Sequence, residues 1–312
     1  MKKAVVTGCA GFIGGHLSEK LLSMGWHVLG MDNMRTGLQK TMDLLSCDPK
    51  FRPVYADISL REAFPDISSK VCEFNPDLVF HLAAIPGVPN SVVDPAFTNE
   101  VNLSGTLNML EICRSIDIER FIFSSSSSVY GGSATLPTPE STSLEPKSPY
   151  ALQKKFSEEY CKMYSNLYDI DTVCLRYFNV FGPRQRSDSA YAAAVASFFN
   201  ARRKGSQPII YGDGEQTRDF CYISNVVNAN ILAAKFSGRL NGLSINIGAG
   251  ETTSINDLAS KICALPPIYK PARPGDVRHS MADITIAKET LGYTSVTKCL
   301  EGLDKMFSLC ED

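Results

Sequence analysis

A tyrosine and a lysine four residues apart give this sequence its first indication of chemistry. Tyr150 and Lys154 would lie on one face of a helix, because residues at positions i and i+4 are neighbours there. An ammonium group beside a phenol favours the phenolate and lowers the pKa of the tyrosine. Such a pair can exchange a proton with a hydroxyl group near neutral pH. The same spacing is also typical of a pair on a solvent-exposed helix, so other motifs must decide between the two interpretations.

A glycine-rich turn near the start of the sequence is the second motif. Gly8, Gly11 and Gly14 follow a short apolar run at residues 4–6 and precede a helical pattern over residues 12–24. Glycines in a strand-to-helix turn let the backbone approach a pyrophosphate, which also gains from the free N–H groups of the helix N-terminus. The spacing is a variant of the usual dinucleotide fingerprint. It predicts a dinucleotide site at this turn.

An aspartate at the end of the next predicted strand indicates which dinucleotide binds. Asp32 lies 24 residues after Gly8, where a carboxylate accepts hydrogen bonds from the hydroxyls of the adenosine ribose. A carboxylate in this place repels a 2′-phosphate, so NAD is favoured over NADP, although Arg35 is close enough to weaken that preference. The alternative interpretation is that Asp32 has a structural role, in which its carboxylate caps a loop. Cys9, inside the turn, raises the hypothesis that its oxidation would weaken cofactor binding.

Strands and helices alternate through the first half of the chain. Strands are predicted at residues 26–31, 51–56, 78–80 and 120–124, and helices near 60–74 and 95–116. This alternation predicts an α/β fold with a doubly wound parallel sheet of the Rossmann type, covered by helices on both faces. Two later apolar runs, at residues 172–175 and 244–247, are expected to join the same sheet.

Proline and glycine become frequent in the second half of the chain. They cluster at residues 132–149, 182–189 and 205–214. We therefore expect two domains. The first is a Rossmann domain over residues 1–175, to which segments near 215–248 return, and the second is a smaller, loop-rich C-terminal cap over residues 176–312.

The composition excludes several classes of protein. The chain has 31 Lys and Arg against 33 Asp and Glu among 312 residues, and a net charge of −2 predicts no binding to nucleic acid or to an anionic membrane. We find no run of 18 apolar residues and expect no signal peptide, which predicts a cytoplasmic location. None of the ten cysteines lies within ten residues of another, so we expect reduced thiols and no metal site.

Six motifs of the chain occur together. In order they are Thr7-Gly8-x-x-Gly11-Phe12-Ile13-Gly14, His81-Leu82-Ala83-Ala84, Ser126-x-x-x-Tyr130-Gly131, Tyr150-x-x-x-Lys154, the stretch from Arg176 to Gln185, and Arg218-Asp219-Phe220. In this combination the chain resembles the extended short-chain dehydrogenase/reductase family, and within it the NAD-dependent nucleotide-sugar 4-epimerases. The resemblance runs from residue 3 to about residue 292.

The resemblance implies three groups of contacts to NAD. The residues that would hold the pyrophosphate are Gly8, Gly11, Phe12 and Ile13. Those that would contact the adenosine are Asp32, Asn33, Asp57 and Ile58. Those on the nicotinamide side would be Leu82, Ala83, Ala84, Tyr150, Lys154 and Tyr177.

The resemblance also implies how a UDP-sugar is bound and converted. The catalytic residues would be Ser126, Tyr150 and Lys154, with Tyr150 taking the proton of the C4 hydroxyl, NAD taking the hydride, and a transient 4-keto sugar turning over before C4 is inverted. The substrate contacts, most of them in the nucleotide-sugar-binding cap, would be Gly87, Val88, Ser126, Ser127, Tyr150, Asn179, Arg186, Tyr211, Arg218, Arg273, Asp276 and Ser280. Among these, the two phosphates of UDP would pair with Arg218 and Arg273. Asn179 would contact the same diphosphate, and Asp276 would accept a hydrogen bond from the uridine ribose.

Four positions bear on the reaction and on the sugar. Ser127 and Ser128 stand where the dehydratases of the family carry acids, so elimination has no general acid here and epimerisation is favoured. Ser280 stands where strict glucose/galactose enzymes carry a bulky tyrosine. Its small size predicts UDP-GlcNAc/UDP-GalNAc, UDP-Glc/UDP-Gal or both as substrates. At Arg186, by contrast, the chain resembles the UDP-glucuronate 4-epimerases, which stay the alternative substrate class. The other interpretation of Arg186 is a solvated loop charge.

Two other classes of protein stay open, and so does the assembly state. The chain could be an NAD(P)-dependent sugar reductase with the same Tyr150 and Lys154, or a non-catalytic protein that senses NAD. Proteins of the latter kind typically lack the tyrosine or the phosphate-binding arginines, which are present here. The resemblance further implies a homodimer formed through the helices near residues 95–116 and 150–166.

Overall fold

The structure, a computed structural model, describes residues 2–133, 135–186, 194–272 and 277–309. Strands and helices alternate in its first half. The strands are β1 (Lys3–Thr7), β2 (His27–Asp32), β3 (Phe51–Tyr55), β4 (Leu78–His81), β5 (Arg120–Ser126) and β6 (Thr172–Tyr177). The helices are α1 (Phe12–Ser23), α2 (Gln39–Ser46), α3 (Phe64–Phe74), α4 (Val88–Val93), α5 (Pro95–Asn99), α6 (Gly105–Arg114) and α7 (Pro149–Tyr168).

Shorter elements dominate the second half. Its strands are β7 (Val180–Phe181), β8 (Ile209–Tyr211), β9 (Thr217–Arg218), β10 (Cys221–Tyr222), β11 (Leu243–Ile247), β12 (Thr253–Ser254) and β13 (Ile268–Lys270). Its helices are α8 (Ala194–Arg203), α9 (Ile223–Lys235), α10 (Ile255–Ile262), α11 (Thr285–Leu291) and α12 (Cys299–Ser308). None of the helices described is long and apolar enough to cross a membrane.

One seven-stranded parallel sheet organises the chain, in the order β11-β6-β5-β4-β1-β2-β3. The strand order reverses direction at β1, which lies between β2 and β4. In open sheets of this kind, ligands bind beyond the carboxyl ends of the strands at the point of reversal. The predicted Rossmann fold is confirmed, and the two late runs predicted to join the sheet do so as β6 and β11.

Burial explains why these segments form central strands. Every residue of β4 and β6 is buried, and β1, β2 and β5 each have a single partly exposed residue at one end. Strands covered on both faces require such continuous apolar runs. The edge strand β3 instead has only Phe51 and Val54 buried and carries Pro53, which an edge strand tolerates because it lacks a neighbour on one side.

The helix predicted over residues 95–116 is not regular. It begins as α5, passes through a π-helical turn at Glu100–Ser104 and continues as α6. Asn102 lies buried in this wide turn, where it accepts a hydrogen bond from Ile85 N at 2.8 Å and donates to the side chain of Gln153 in α7 at 2.8 Å. Such turns are frequent at functional sites. Here the turn connects the loop after β4 to α7.

Helix α7 has a clear beginning and end in the sequence. The Ser148 hydroxyl accepts a hydrogen bond from Ala151 N at 3.2 Å, and Pro149 occupies the first helical position. Both are favoured at a helix N-terminus. Asp169 ends the helix in the left-handed conformation, with φ of +59°.

The chain divides into two compact units. Unit 1 comprises residues 1–129, 146–176 and 227–245, and unit 2 comprises residues 130–145, 177–226 and 246–312. Unit 1 contains nearly all of the large sheet. Unit 2 contains three small strand pairs, β7 with β10, β8 with β13 and β9 with β12. The assignment of cofactor binding to one domain and nucleotide-sugar binding to the other stays a prediction.

A buried ion pair fixes the last segment of unit 1 to its sheet. Arg120 at the start of β5 donates from Nε to Asp171 at 2.6 Å, and its other nitrogens donate to the carbonyls of Ala233, Phe236 and Gly238. Both side chains of the pair are about nine-tenths buried or more. Removing one partner would leave the other charge buried and unpaired.

We therefore expect Arg120→Met to lower the free energy of unfolding by about 3–5 kcal/mol. Urea denaturation followed by the fluorescence of Trp26, the single tryptophan of the chain, would measure the loss in unit 1. The control is Arg52→Met, which removes an exposed pair with Glu73 and should cost less than about 1 kcal/mol. Equal losses in the two variants would contradict a special role for the buried pair.

Candidate active site

The glycine turn of unit 1 is closely packed at the carboxyl ends of β1 and β4. Gly8 has φ of +73°, and a Cβ on it would lie 2.9 Å from Ala83 N. A Cβ on Gly14 would lie 2.1 Å from the Gly8 carbonyl oxygen. Helix α1 begins directly after Gly11, and no side chain of the described residues caps it. We call this closely packed turn, from Gly8 to Gly14, the glycine cradle. The cradle and the uncapped N–H groups of α1 fit a pyrophosphate, as the sequence predicts.

Asp32 lies at the carboxyl end of β2, next to this turn. Its carboxylate accepts hydrogen bonds from Ala10 N at 3.0 Å and from Met34 N at 2.8 Å. Burial raises the pKa of Asp32, although both of these hydrogen bonds oppose the shift. Each carboxylate oxygen has a second lone pair, so both can still accept from ribose hydroxyls. The position fits the predicted contact with adenosine.

Asn33 and Asp57 are held together beside Asp32. Asn33 Nδ2 donates to Asp57 Oδ2 at 2.8 Å. Burial alone would raise the pKa of Asp57, but hydrogen bonds from Ser59 and Asn33 and the charge of Arg35 together lower it. The Arg35 guanidinium also lies 4.5 Å from the centre of the Phe97 ring. Ile58, the next predicted adenosine contact, is buried.

A chain of hydrogen bonds from Thr7 through His81 shapes the predicted nicotinamide side. The Thr7 hydroxyl accepts from Leu82 N and Ala83 N at 3.1 Å each and lies 2.8 Å from His81 Nδ1. His81 Nε2 lies 3.0 Å from Thr106 Oγ1, which itself donates to a carbonyl. Nε2 must therefore carry the proton and Nδ1 must accept. His81 is thus a neutral residue that positions the strand ends.

The predicted catalytic residues Ser126, Tyr150 and Lys154 come together in unit 1. Ser126 interacts with the Tyr150 phenol and lowers its pKa, and the Ser126 Oγ accepts from Ser128 N at 3.2 Å. Lys154 is 3% exposed and donates from Nζ to the Ser124 carbonyl at 2.7 Å. Its ammonium lies 5.9 Å from the centre of the Tyr150 ring. Burial lowers the pKa of Lys154 to about 8.

The predicted lowering of the Tyr150 pKa is wrong for this geometry. Burial raises the pKa of Tyr150 to about 12, and the hydrogen bond from Ser126 opposes the shift. Lys154 is buried in the same region and directs its ammonium at the Ser124 carbonyl, so its charge does not offset the loss of water around the phenol. The phenol is therefore a proton donor at neutral pH unless further positive charge enters the site.

Two of the predicted substrate contacts meet in unit 2. Asn179 Nδ2 donates to Ser280 Oγ and to the Asp219 carbonyl, both at 3.3 Å. The Arg218 guanidinium donates to the carbonyls of Thr217 and Arg278 at 2.9 and 3.0 Å. The Tyr211 carbonyl accepts from the Gln216 side chain at 2.7 Å. In unit 1, Gly87 precedes α4, and Val88 is exposed.

The remaining predicted substrate and cofactor residues lie in several different parts of the chain. Arg186 is exposed. Arg273 and Asp276 lie outside the described residues, so their predicted contacts to the phosphate and the uridine ribose stay predictions. Ser127 lies in a short 3-10 helix after β5, and Ala84 in the loop after β4. Tyr177 is the last residue of β6 and is buried.

The carboxylate of Asp219 holds three loop segments of unit 2 together. This role was not predicted from the sequence. It accepts from Ala249 N at 2.6 Å, Ala282 N at 3.0 Å and Gly250 N at 3.1 Å. Burial raises its pKa to about 6, although these hydrogen bonds oppose the shift. Its side chain is fully buried, next to Arg218 in sequence. In the sequence, the position of Asp219 within the Arg218-Asp219-Phe220 motif is the one feature that could have pointed to this role.

The hypothesis about Cys9 does not agree with the structure. Its side chain is fully buried, and a Cβ on Gly30 of β2 would lie 2.9 Å from its sulfur. The thiol therefore packs against β2. Burial raises the pKa of Cys9 well above its usual range, so the thiolate that oxidants attack is scarce.

Replacing Gly8 should release the cofactor expected at this turn. Gly8→Ala and Gly25→Ala both place a Cβ at positive φ, +73° and +82°, and each should lose about 1 kcal/mol of stability. Apart from its chain neighbours, no described residue has an atom within 4 Å of a Cβ added to Gly25, whereas a Cβ on Gly8 meets the Ala83 backbone. We expect NAD in purified Gly25→Ala, measured by absorbance after denaturation, and little in Gly8→Ala. Equal NAD contents would contradict the cradle.

His81 should stay neutral in acid. Burial, followed by the charge of Lys154, lowers its pKa from 6.5 to about 3, so below about pH 6.5 the unfolded chain takes up a proton that the folded chain does not. Stability is therefore lost as pH falls, by about 2 kcal/mol from this residue between about pH 7 and about pH 5.

NMR of the four imidazoles, with His81→Gln used for assignment, would test this directly. We expect the His81 resonances to stay constant down to about pH 4 with the proton on Nε2. A His81 resonance that titrates near its usual pKa would rule out the buried neutral state.

Comparisons with known proteins agree with this geometry. The model of the NAD dependent epimerase/dehydratase family matches residues 4–248. A putative UDP-glucose 4-epimerase of Methanocaldococcus jannaschii is 37% identical over 308 residues, which is 97% of this chain and 96% of that protein.

Two solved structures are similar over nearly the whole chain. The UDP-N-acetylglucosamine 4-epimerase of Methanobrevibacter ruminantium, in complex with UDP-N-acetylmuramic acid, is 35% identical, with a TM-score of 0.89 and 99% of each chain covered. The UDP-glucuronic acid 4-epimerase of Bacillus cereus, in complex with UDP-glucuronic acid and NAD, is 32% identical, with a TM-score of 0.90 and 99% of each chain covered. These findings confirm NAD as the cofactor. The chain belongs to the NAD-dependent epimerase/dehydratase family.

Proposed function

We propose that this chain is a UDP-sugar 4-epimerase, which inverts C4 of the sugar through a transient 4-keto intermediate. The observation that carries the proposal is the placement of Lys154, one helical turn from Tyr150 with its ammonium 5.9 Å from the centre of the tyrosine ring, while Ser126 interacts with the same phenol. All three residues lie in unit 1, which also contains the glycine cradle and Asp32. The family and its relatives support the same reaction.

Several groups of unit 1 would hold NAD. The backbone of Gly8 and Gly11 would accommodate the pyrophosphate, Asp32 would bind the adenosine ribose, and Lys154 would bind the nicotinamide ribose. When bound, NAD supplies the acceptor and donor for the hydride that leaves C4 and returns to it. Because retained NAD is regenerated in each cycle, the enzyme would need no added cosubstrate.

Tyr150 would move the proton in both directions. It would take the proton of the C4 hydroxyl as the keto sugar forms and return it after the sugar has turned over. Ser126 would donate a hydrogen bond to the same sugar oxygen, where negative charge develops. The Tyr150 pKa of about 12 means that the phenolate needs more positive charge than the Lys154 ammonium provides, and an oxidised nicotinamide ring would supply it.

The polar residues after β5 argue against dehydration. Ser127 and Ser128 offer hydroxyls where elimination would require a carboxylic acid. The Ser128 hydroxyl is buried without a hydrogen-bond partner among the described residues, so it supplies no proton relay of its own. The sugar carbon C4, whose oxygen would bind at Ser126, would therefore be oxidised to a ketone and reduced again without loss of a leaving group.

The substrate is proposed from Ser280. Its hydroxyl accepts from Asn179, the residue expected to contact the UDP diphosphate. A small side chain at this place leaves room for an N-acetyl group without requiring one, which favours UDP-GlcNAc/UDP-GalNAc, UDP-Glc/UDP-Gal or both. UDP-glucuronate is the second candidate, because Arg186 is an exposed cation and a similar solved enzyme binds that substrate.

A time course of anomeric NMR signals would test the reaction and the sugar together. Purified protein is given UDP-GlcNAc, UDP-Glc and UDP-GlcA in separate reactions without added NAD, and we expect the 4-epimer of at least one. Tyr150→Phe should lower kcat by roughly 100- to 10,000-fold and leave the NAD content unchanged. Ser280→Tyr should abolish turnover of UDP-GlcNAc and spare UDP-Glc.

The other outcomes discriminate between the remaining classes. Consumption of added NAD(P)H with a keto sugar, but no epimer, would indicate a reductase. Retained NAD without turnover of any of the three sugars, even with NAD added, would contradict the proposed epimerase activity on these substrates.

We also propose a homodimer formed through α5, α6 and α7. Leu152 and Phe156 of α7 are 42% and 47% exposed, one helical turn apart. They line an apolar groove with Pro95, Ala96 and Leu103. Met163 and Leu167 continue the exposed apolar surface along α7. A contiguous apolar surface of this kind is typical of a protein interface.

Charging this surface should separate the subunits. We expect the double variant Leu152→Glu, Phe156→Glu to run as a monomer in sedimentation velocity, where the wild type runs as a dimer. The control is Leu300→Glu, which charges an exposed leucine of α12 in unit 2, away from the proposed interface. A wild type that is already monomeric, or a control that dissociates equally, would refute the proposed interface.

A further inference from the structure

A buried carboxylate lies one turn beyond Lys154 on α7 and has no part in the reaction described above. Glu158 is 5% exposed and pairs with Arg176 of β6, with an Nη2–Oε2 distance of 2.6 Å and an Nε–Oε1 distance of 2.9 Å. Two hydroxyls also donate to it: Ser125 to Oε1, and Ser244 to Oε2 at 3.1 Å. All four residues belong to unit 1.

Stability alone is a poor explanation for this cluster. A buried ion pair loses in desolvation about what it gains in attraction, and an apolar pair of similar volume would often be as stable. What the carboxylate provides is geometry, because charged acceptors form short and directional hydrogen bonds. The Ser125 hydroxyl attaches the carboxyl end of β5 to α7 through such a bond.

The two neighbours of Ser125 both contact the catalytic residues. The Ser124 carbonyl accepts the hydrogen bond of the Lys154 ammonium at 2.7 Å. Ser126 interacts with the Tyr150 phenol. The three serines are consecutive at the end of β5. A shift of Ser125 would therefore move both the carbonyl that binds the Lys154 ammonium and the hydroxyl that faces the Tyr150 phenol.

We propose that Glu158 is a positioning residue, which through the Ser125 hydroxyl holds the end of β5 so that Ser124 meets Lys154 and Ser126 meets Tyr150. This inference rests on the proposed function for its kinetic consequence. Its structural content concerns only the alignment of β5 with α7. Arg176 neutralises the carboxylate so that it can be buried beside the active site.

Two serines that donate to the same carboxylate allow a matched test. Ser125→Ala and Ser244→Ala each remove one hydroxyl from Glu158 and leave the ion pair intact, but only Ser125 lies at the strand end. We expect Ser125→Ala to lower kcat by roughly 10- to 100-fold, because small misplacements at a reacting centre have effects of this size. KM for the UDP-sugar should change less than about twofold, and the pH profile of kcat should shift. Ser244→Ala should leave kcat and its pH profile unchanged.

NAD retention gives a readout that does not depend on turnover. If Lys154 is displaced, Ser125→Ala should lose NAD during dialysis faster than the wild type, whereas Ser244→Ala should not. Ser125→Thr keeps a hydroxyl and should restore both NAD retention and kcat. Thermal denaturation should give similar midpoints for the two alanine variants, which separates misplacement from unfolding.

Each result either supports the inference or overturns it. Equal effects of Ser125→Ala and Ser244→Ala on NAD retention and pH profile would overturn it, and so would an unfolded Ser125→Ala that Ser125→Thr fails to rescue. If the wild type converts no UDP-sugar, the proposed function fails. The positioning role is then decided by NAD retention alone, where a loss confined to Ser125→Ala supports it.

Discussion

The parallel pairing of β1 with β4 is the constraint on which the cofactor side of unit 1 depends. It places Thr7 opposite His81, so that both strands end at the same level. The chain then turns away at Gly8 with its backbone against Leu82 and Ala83, too close for a side chain. The Thr7 hydroxyl holds the N–H groups of that second segment. Any substitution that separates the Gly8 backbone from Leu82 and Ala83 would move the glycine cradle and the predicted nicotinamide side together.

The features that the sequence predicted correctly are those encoded locally. The alternation of apolar runs with helical patterns, the glycine turn and the spacing of Tyr150 and Lys154 each depend on residues close together in the chain. The Rossmann sheet followed from them, and the grouping of Ser126 with Tyr150 and Lys154 followed from the resemblance to the family. The π-helical turn at Glu100–Ser104 was missed, because an apolar pattern interrupted by one wider turn still resembles a regular helix.

The features that the sequence did not predict are the buried polar contacts between distant residues. Arg120 and Asp171 are 51 positions apart, and a charged residue in a pattern suggests an exposed position until its partner is known. The Tyr150 pKa was predicted in the wrong direction for a related reason. The spacing of Tyr150 and Lys154 gives their proximity, but the loss of water around the phenol depends on the whole fold and has the larger effect. Arg273 and Asp276 remain predictions from the resemblance.

The way in which the chain is divided between the two units bears on its synthesis. The chain passes between unit 1 and unit 2 five times, and residues 227–245 complete unit 1 only after about half of unit 2 has been translated. Until then, the sheet lacks β11, and Arg120 lacks the carbonyls of Ala233, Phe236 and Gly238. A nascent chain that stops short of residue 245 thus carries an open β6 edge beside an incompletely paired arginine. Chaperones that shield exposed strand edges would find their target during this interval, and a truncation between the two predicted domains would make it permanent.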